Sequence, residues 1–167
     1  VLLILSILFL WGFVFVQNAV WPIADWDALT LYDMRARVLN NKGFFDEVIR
    51  GGYFLGYPPY TSFLHLFSYV SGSNQAKVWY SLLYMSFSAG IFSLLRRKLP
   101  IVHSLFGSFL VTSYVDIVSL STFAYTNIPY TVFLALGILY LYNWIVDSSK
   151  TDLVLAGLLI GGSTWIR

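Results

Sequence analysis

Long apolar runs, separated by short polar connections, make up most of this chain. The run from Val1 to Val16 is interrupted only by Ser6 and Gly12, and further apolar runs follow a longer mixed segment. Runs of about 17–25 apolar residues can cross a bilayer as a helix. In hydrocarbon the backbone must satisfy its own polar groups, so such runs are expected to be helical. The predicted spans are 1–17, 77–95, 101–122, 128–146 and a shorter final one, 153–167.

The composition supports a membrane protein. Of the 167 residues, 58% are hydrophobic and 11% are charged, and the mean hydropathy is +0.72. A typical soluble domain is about 45–50% apolar and about 25% charged, and a chain of this size leaves much of its surface exposed. These values exclude a soluble globular domain, a disordered region and a nucleic-acid-binding protein. The absence of cysteine excludes disulfides and thiolate metal sites. The predicted fold class is an all-α, polytopic transmembrane helical bundle.

Both ends of the chain lie in or directly after apolar runs. The sequence begins at Val1 rather than at Met and stops at Arg167. The alternative for the first run is a signal-peptide core. However, Trp21 and Pro22 follow it instead of a small-residue cleavage site, and Trp is typical of a membrane interface. We therefore expect an N-terminal or internal fragment of a larger membrane protein.

Basic residues predict the orientation of the bundle. Arg96-Arg97-Lys98 is the densest basic cluster, and Lys150 lies in a later connection. The positive-inside rule places both on the cytoplasmic side, so the connection 124–127 and the long loop 18–76 face outward. The apolar stretch 58–70 within that loop either spans, which would invert the orientation, or lies at the interface. Its length favours the interfacial alternative.

The outer loop concentrates the charge of the chain. Five of the eight carboxylates and four of the ten cations lie between Asp25 and Arg50. Residues 27–41 have the spacing of an amphipathic helix lying on the membrane surface. Its predicted apolar face carries Leu31, Met34 and Val38, and its predicted polar face carries Asp33, Arg37 and Asn40.

Two groups of charged residues in this loop have alternative interpretations. Asp27 is either the N-cap of the helix, with Asp25 favourable near its positive end, or one of two carboxylates at a membrane-face site. Such carboxylates can act as a general base or hold a divalent cation such as Mg²⁺. Arg35 and Arg37 either clamp a phosphate or face solvent and lipid headgroups.

Other positions also have two interpretations. Asp116 is an acidic residue at membrane depth, where such residues are often functional, although it lies close enough to the outer end to reach the interface. Asn127 is either an N-cap or a substrate-binding residue near the acidic pair. His65, on an apolar run, is expected to be a packing residue. The glycines of the last span are expected to allow close helix packing; they are Gly157, Gly161 and Gly162.

In this order, the motifs resemble a polytopic family C glycosyltransferase, the class that uses polyprenyl-phosphate sugar donors. The likeness is to bacterial relatives of protein O-mannosyltransferases and of the lipid A aminoarabinose transferase. It extends over most of the chain. It rests on Asp25-Trp26-Asp27-Ala28 before the Arg35-Ala36-Arg37 helix, Tyr57-Pro58-Pro59-Tyr60, Thr126-Asn127-Ile128-Pro129, and the glycine-rich run from Gly157 to Arg167.

The resemblance implies an inverting transfer of sugar from a polyprenyl-phosphate donor to a glycan, lipid or protein acceptor. The reaction would take place at the outer face of a bacterial inner membrane. Asp27 maps best onto the base of the family, with Asp25 second, and the donor substrate is implied without an assigned metal or cofactor. Asn127 stands where the family usually has Asp, and Tyr57 where a basic residue often stands. The implied substrate- and phosphate-binding residues are Arg35, Arg37, Tyr57, Tyr60 and Asn127.

Two other functions remain open from the sequence. One is a transporter or flippase of a lipid-linked or small polar substrate, with Asp116 as the coupling or substrate-binding residue. The other is a membrane scaffold without enzymatic activity.

Overall fold

The computed structural model describes residues 1–42 and 58–167, and every regular element in this part of the chain is helical. The predicted all-α fold class is confirmed to this extent. A π-helical segment, Ala28–Asp33, leads directly into the second helix. The α-helices are α1 Leu2–Val20, α2 Met34–Lys42, α3 Tyr60–Val70, α4 Val78–Arg96, α5 Ile101–Thr112, α6 Val115–Leu120, α7 Asn127–Asp147 and α8 Lys150–Ser163.

Three of these helices are long and apolar enough to cross a membrane. α1 and α4 have 19 residues each, and α7 has 21. At 1.5 Å per residue they measure roughly 28–32 Å, close to the thickness of about 30 Å of a bilayer's hydrocarbon core. They correspond to the predicted spans 1–17, 77–95 and 128–146.

The apolar core lies between α4 and α7. The residues that face each other repeat every three or four positions, as expected for one stripe of each helix. α1 instead leaves many large apolar side chains exposed, including Phe9 and Val16, as a helix does when lipid covers its surface. The buried core residues are Phe87, Ile91 and Leu94 of α4 and Ile128, Val132 and Leu136 of α7.

The predicted span 101–122 is not one continuous helix. α5 ends at Thr112, Tyr114 is extended, and α6 begins at Val115. The hydroxyl of Tyr84 on α4 donates to the Thr112 carbonyl oxygen at 2.8 Å, so this acceptor is bonded from another helix where the chain leaves the helical path. α5, with 12 residues, measures about 18 Å, which is too short to cross a bilayer alone. Asp116, predicted at membrane depth, lies exposed in the first turn of α6.

The last predicted span, 153–167, differs from α8 in its bounds and length. α8 begins at Lys150 and has only 14 residues. Of the glycines expected to allow close packing, Gly157 and Gly161 have no atom within 4 Å of the position of an added Cβ. Gly162 approaches Phe133, and the closest backbone approach is at Gly137 of α7. The sequence therefore indicated the wrong glycines for most of this contact.

Gly137→Ala is expected to destabilise the α7–α8 pair by about 1–3 kcal/mol, the usual cost of overpacking. The added Cβ would lie 2.7 Å from Ile160 Cγ1 and 3.1 Å from the Ile160 backbone nitrogen, and the backbone cannot rotate away. The measurement is the unfolding midpoint in mild detergent. Gly161→Ala is the control, and it should be neutral or stabilising because Ala favours a helix interior by about 1 kcal/mol. Equal midpoints for the two variants would contradict the packing described.

Polar contacts hold the helix connections at two opposite ends. At one end, Arg97 donates from Nη1 to Asp152 Oδ2 at 2.7 Å, and Lys98 pairs with Asp147. The two basic connections predicted to share a side therefore meet. At the other end, Asn18 Nδ2 donates to Ser81 Oγ and to the Ser121 carbonyl oxygen, both at 2.9 Å. These contacts join the end of α1, the beginning of α4 and the end of α6, so the segments before and after them share this second end.

The segment predicted as one surface helix over 27–41 has a different form. Its first part is π-helical, and α2 begins only at Met34. Asp33, expected on the exposed polar face, is only 2% exposed, because α3 lies over it with His65 and Tyr69. α3 has 11 residues, too few to cross a bilayer. Its contacts with Asp33 and with Tyr80 at the beginning of α4 fit the interfacial alternative.

Candidate functional site

The acidic pair lies in the connection between α1 and the π-helical segment. Asp25 is half-buried and Asp27 is exposed. Asp27 directly precedes the π-helical segment with a helical backbone conformation, and its side chain makes no capping hydrogen bond. The structural alternative for this residue, a carboxylate that caps the helix, is therefore not realised. An exposed carboxylate without that contact is accessible to a substrate.

A small cluster of buried residues joins the acidic pair to a distant part of the chain. Ala28 is fully buried against Tyr80 of α4 and Ala124, which lies just before α7. A larger side chain at either alanine would separate the two segments. The result is that Tyr125 lies within electrostatic reach of both carboxylates. Burial raises the pKa of Tyr125, and the charges of Asp25 and Asp27 raise it further.

Asn127 stands at the beginning of α7, two residues after Tyr125. The N-cap position of α7 belongs to Thr126, and its side chain makes no capping bond. The interpretation of Asn127 as an N-cap is therefore wrong by one residue. Asn127 itself is half-buried on the segment that packs against Ala28, so the structure brings the two predicted elements, 25–28 and 126–129, to the same end of the bundle.

Lys77 is a residue of this region that the sequence did not single out as functional. Its side chain is 7% exposed, and it immediately precedes α4. Burial lowers its pKa, and the charge of Asp25 opposes that effect. Among the described residues no carboxylate lies within ion-pair distance of its ammonium. A lysine before an apolar run looks like an ordinary flanking residue, and only its burial beside Asp25 distinguishes it.

A second charged cluster surrounds Asp33. Asp33 Oδ2 accepts from Arg37 Nε at 2.7 Å, and its Oδ1 accepts from the Tyr69 hydroxyl and lies 3.2 Å from His65 Nδ1. His65 Nε2 is 3.0 Å from the hydroxyl of Tyr80. His65 is thus buried, as expected of a packing residue, but in a polar network rather than an apolar one.

The electrostatics of Asp33 follow from this network. Burial raises the pKa of the carboxyl group, but the hydrogen bonds from His65, Arg37 and Tyr69 outweigh that effect and lower the pKa to about 2. Burial raises the pKa of Tyr69, and its hydrogen bond to Asp33 raises that pKa further. Asp33 is therefore a buried acceptor that stays charged near neutral pH.

The two predicted phosphate-binding arginines have different surroundings. Arg35 is 1% exposed, and burial lowers its pKa while the nearby Tyr32 opposes that effect. The side chain of Arg37 is 51% exposed, and its guanidinium lies over the ring of Tyr69, 4.8 Å from the centroid. Arg37 therefore has a fixed position beside Asp33, and Arg35 belongs to the interior.

Of the two tyrosines predicted to bind substrate, the structure describes only Tyr60. Tyr57 lies outside the described residues. Tyr60 begins α3, and its ring meets Phe133 of α7 edge to face, with centroids 5.5 Å apart. Burial raises the pKa of its hydroxyl. Tyr60 therefore joins α3 to the bundle.

For the described ranges 1–42 and 58–167, no group of three His, Asp or Glu side chains is arranged to hold a metal ion. Comparisons with protein-family models, with curated proteins and with solved structures find no match to this chain. A functional conclusion therefore rests on the residues and their geometry.

Proposed function

We propose that this chain is part of a membrane glycosyltransferase that takes a sugar from a polyprenyl-phosphate donor at the outer face of a bacterial inner membrane. One observation carries the proposal. The acidic pair and the segment of Asn127, about 100 residues apart in sequence, meet through Ala28 and Ala124. These are two of the elements on which the resemblance to family C glycosyltransferases rests.

The proposed placement in the membrane follows from the two ends of the bundle. The connections carrying Arg97, Lys98 and Lys150 share one end, and the positive-inside rule assigns that end to the cytoplasm. The acidic pair lies at the opposite end, beside the beginning of α4. Asp25 and Asp27 would then meet donor and acceptor at the outer surface.

The proposed reaction is a single displacement. Asp27 removes the proton from an acceptor hydroxyl or amine, which attacks the anomeric carbon of the donor sugar. The bond between that carbon and the phosphate oxygen breaks, and polyprenyl phosphate leaves with the electron pair. Attack opposite the leaving group inverts the anomeric centre, and the proton remains on Asp27 until it passes to water. The acceptor is a glycan, a lipid or a protein.

The leaving phosphate needs a nearby positive charge, because electrostatic stabilisation of developing charge lowers the barrier. The sequence predicts Arg35 or Arg37 for this role. We assign it to Lys77, because no described carboxylate lies within ion-pair distance of its ammonium, whereas Arg37 is bound to Asp33. The charge of Asp25 favours the charged form of Lys77, against the larger effect of burial on its pKa.

A transporter or flippase is the second candidate, and the break between α5 and α6 favours it. Interrupted helices form substrate sites in many transporters, and here the interruption leaves Asp116 exposed in the first turn of α6.

The deciding experiment uses the whole protein that carries this chain, reconstituted with a radiolabelled polyprenyl-phosphate sugar and a mixture of envelope acceptors. The transferase proposal expects label in the acceptor, with Asp116→Asn as active as the wild type. The transporter alternative predicts that the sugar crosses the bilayer without forming a new glycosidic bond, and that Asp116→Asn abolishes this movement. Labelled lipid that stays unchanged and on one side would contradict both.

A further inference from the structure

A polar cleft of about 260 Å³ opens beside the C-terminal end of α3. Among its lining residues Arg37 carries the only charge, and three others offer carboxamide groups. The lining thus combines one cation with neutral donors and acceptors. Such a set matches a small anionic group that also carries hydroxyls. The lining residues are Arg37, Asn40, Asn41, Tyr69, Gly72 and Asn74.

Arg37 is held in place before any ligand binds. Its Nε donates to the buried Asp33 at 2.7 Å, and its guanidinium carbon lies over the ring of Tyr69, 4.8 Å from the centroid. Because Asp33 bonds to Nε, the fork of terminal nitrogens is directed by a fixed contact rather than by a flexible side chain. A guanidinium in this arrangement recognises phosphate through two parallel hydrogen bonds.

An apolar groove of about 360 Å³ follows the same helix. Phe67 and Val70, at its exposed edge, are 67% and 71% exposed. Tyr69 of the cleft comes three residues after Leu66 of the groove, and residues with that spacing are neighbours on a helix surface, so cleft and groove lie close together along α3. The groove is lined by Tyr60, Phe63, Leu64, Leu66, Phe67 and Val70.

Trp79 indicates the depth of this region in the membrane. It lies in the first turn of α4, donates from Nε1 to Ser68 Oγ at 2.9 Å, and its ring lies 6.4 Å from that of Phe67. Tryptophan concentrates at the level of the lipid headgroups. The polar cleft therefore lies at headgroup depth, and the groove beside it can meet acyl chains.

We propose that cleft and groove together bind one anionic phospholipid of the outer leaflet. Its phosphate and polar headgroup occupy the cleft against Arg37 and the carboxamides, and an acyl chain lies along Phe67 and Val70. The site requires the membrane location proposed above but not sugar transfer, since it lies beside Asp33 rather than at Asp27. A protein without sugar transfer would therefore still be expected to hold this lipid.

The experiment places the intact protein in nanodiscs of phosphatidylcholine with a minority of phosphatidylglycerol. The protein is then extracted in mild detergent, and its retained lipids are quantified by mass spectrometry. Asn74→Asp adds a negative charge to the cleft while leaving the pair of Arg37 and Asp33 intact, so folding is preserved. We expect the enrichment of phosphatidylglycerol to fall about fivefold, the effect of one charge near an anionic headgroup. Arg96→Gln, at the opposite end of the bundle, should retain the enrichment.

Four results would overturn the proposal. One is equal enrichment in the wild type and in Asn74→Asp. The second is complete displacement of the lipid by soluble glycerol phosphate, which would identify a site for a free phosphate ester. The third is preferential displacement by polyprenyl phosphate, which would identify the donor site instead. Phe67→Ser should reduce the total amount of retained lipid without changing the preference for phosphatidylglycerol. The fourth result is the reverse in this variant, a lost preference with unchanged retention, which would contradict the assignment of the groove.

Discussion

Replacing Asp27 by Asn is expected to lower the rate of sugar transfer by about 10²–10⁴-fold, the usual contribution of a general base. Asparagine keeps the size of the side chain and cannot accept a proton. The side chain of Asp27 makes no capping hydrogen bond and is exposed, so folding should not depend on it. The measurement is the initial rate of label transfer by the reconstituted protein, with the unfolding midpoint recorded alongside.

Asp25→Asn separates the roles of the two carboxylates. If Asp25 favours the charged form of Lys77, Asp25→Asn should lower the transfer rate less than Asp27→Asn does. In Asp25→Asn the transfer rate should fall further as the pH is raised, because Lys77 then loses its proton. A larger loss with Asp25→Asn than with Asp27→Asn would exchange the assigned base. Full activity in the double variant would exclude both carboxylates from the chemistry and end the transferase proposal in this form.

Asp33→Ala is expected to destabilise the packing of α2 and α3 by about 3–5 kcal/mol, as when one partner of a buried ion pair is removed. The variant deprives Arg37, His65 and Tyr69 of their shared acceptor. Unfolding in mild detergent, followed by tryptophan fluorescence, measures the change. Asp147→Ala is the matched control, because its pair with Lys98 is exposed and such pairs contribute about 0–1 kcal/mol. Similar midpoints in the two variants would show that the network around Asp33 adds little.

The same carboxyl group predicts a pH dependence of stability. Its pKa is about 2 in the folded protein and ordinarily 3.8. A lowered pKa stabilises the fold fully above the ordinary value, and this stabilisation is lost as the pH falls through the folded one. The wild type should therefore lose about 2 kcal/mol between pH 4 and pH 2 from this group. Asp33→Asn should lack that step, and an identical acid profile would contradict the assignment.

The sequence was sufficient for the helical class and for the three long apolar helices. Their runs differ from the connections by so much hydrophobicity that no tertiary contact is needed to recognise them, as α7 shows by matching its prediction within one residue at each end. Local composition did not predict features that depend on contacts with another helix. No proline or glycine stands at the break after Thr112 to predict it. The hydroxyl that bonds to the Thr112 carbonyl oxygen there belongs to Tyr84, 28 residues earlier.

The candidate site likewise contains residues that the sequence singles out and residues whose burial only the structure shows. Asp25, Asp27 and Asn127 were singled out from the sequence because carboxylates and amides are rare in such a chain, and their role stays a prediction. The burial of Asp33 and Lys77 could not be found, since each lies in a segment that is polar or ordinary by itself. Asp33 is covered only when α3 packs over it with His65 and Tyr69, and Lys77 is buried only in the folded protein. What the sequence determines here is which segments favour lipid over water, a property of each segment alone. Which charges are buried, paired or left accessible depends on the surfaces that distant segments bring to them, and only the tertiary structure decides that.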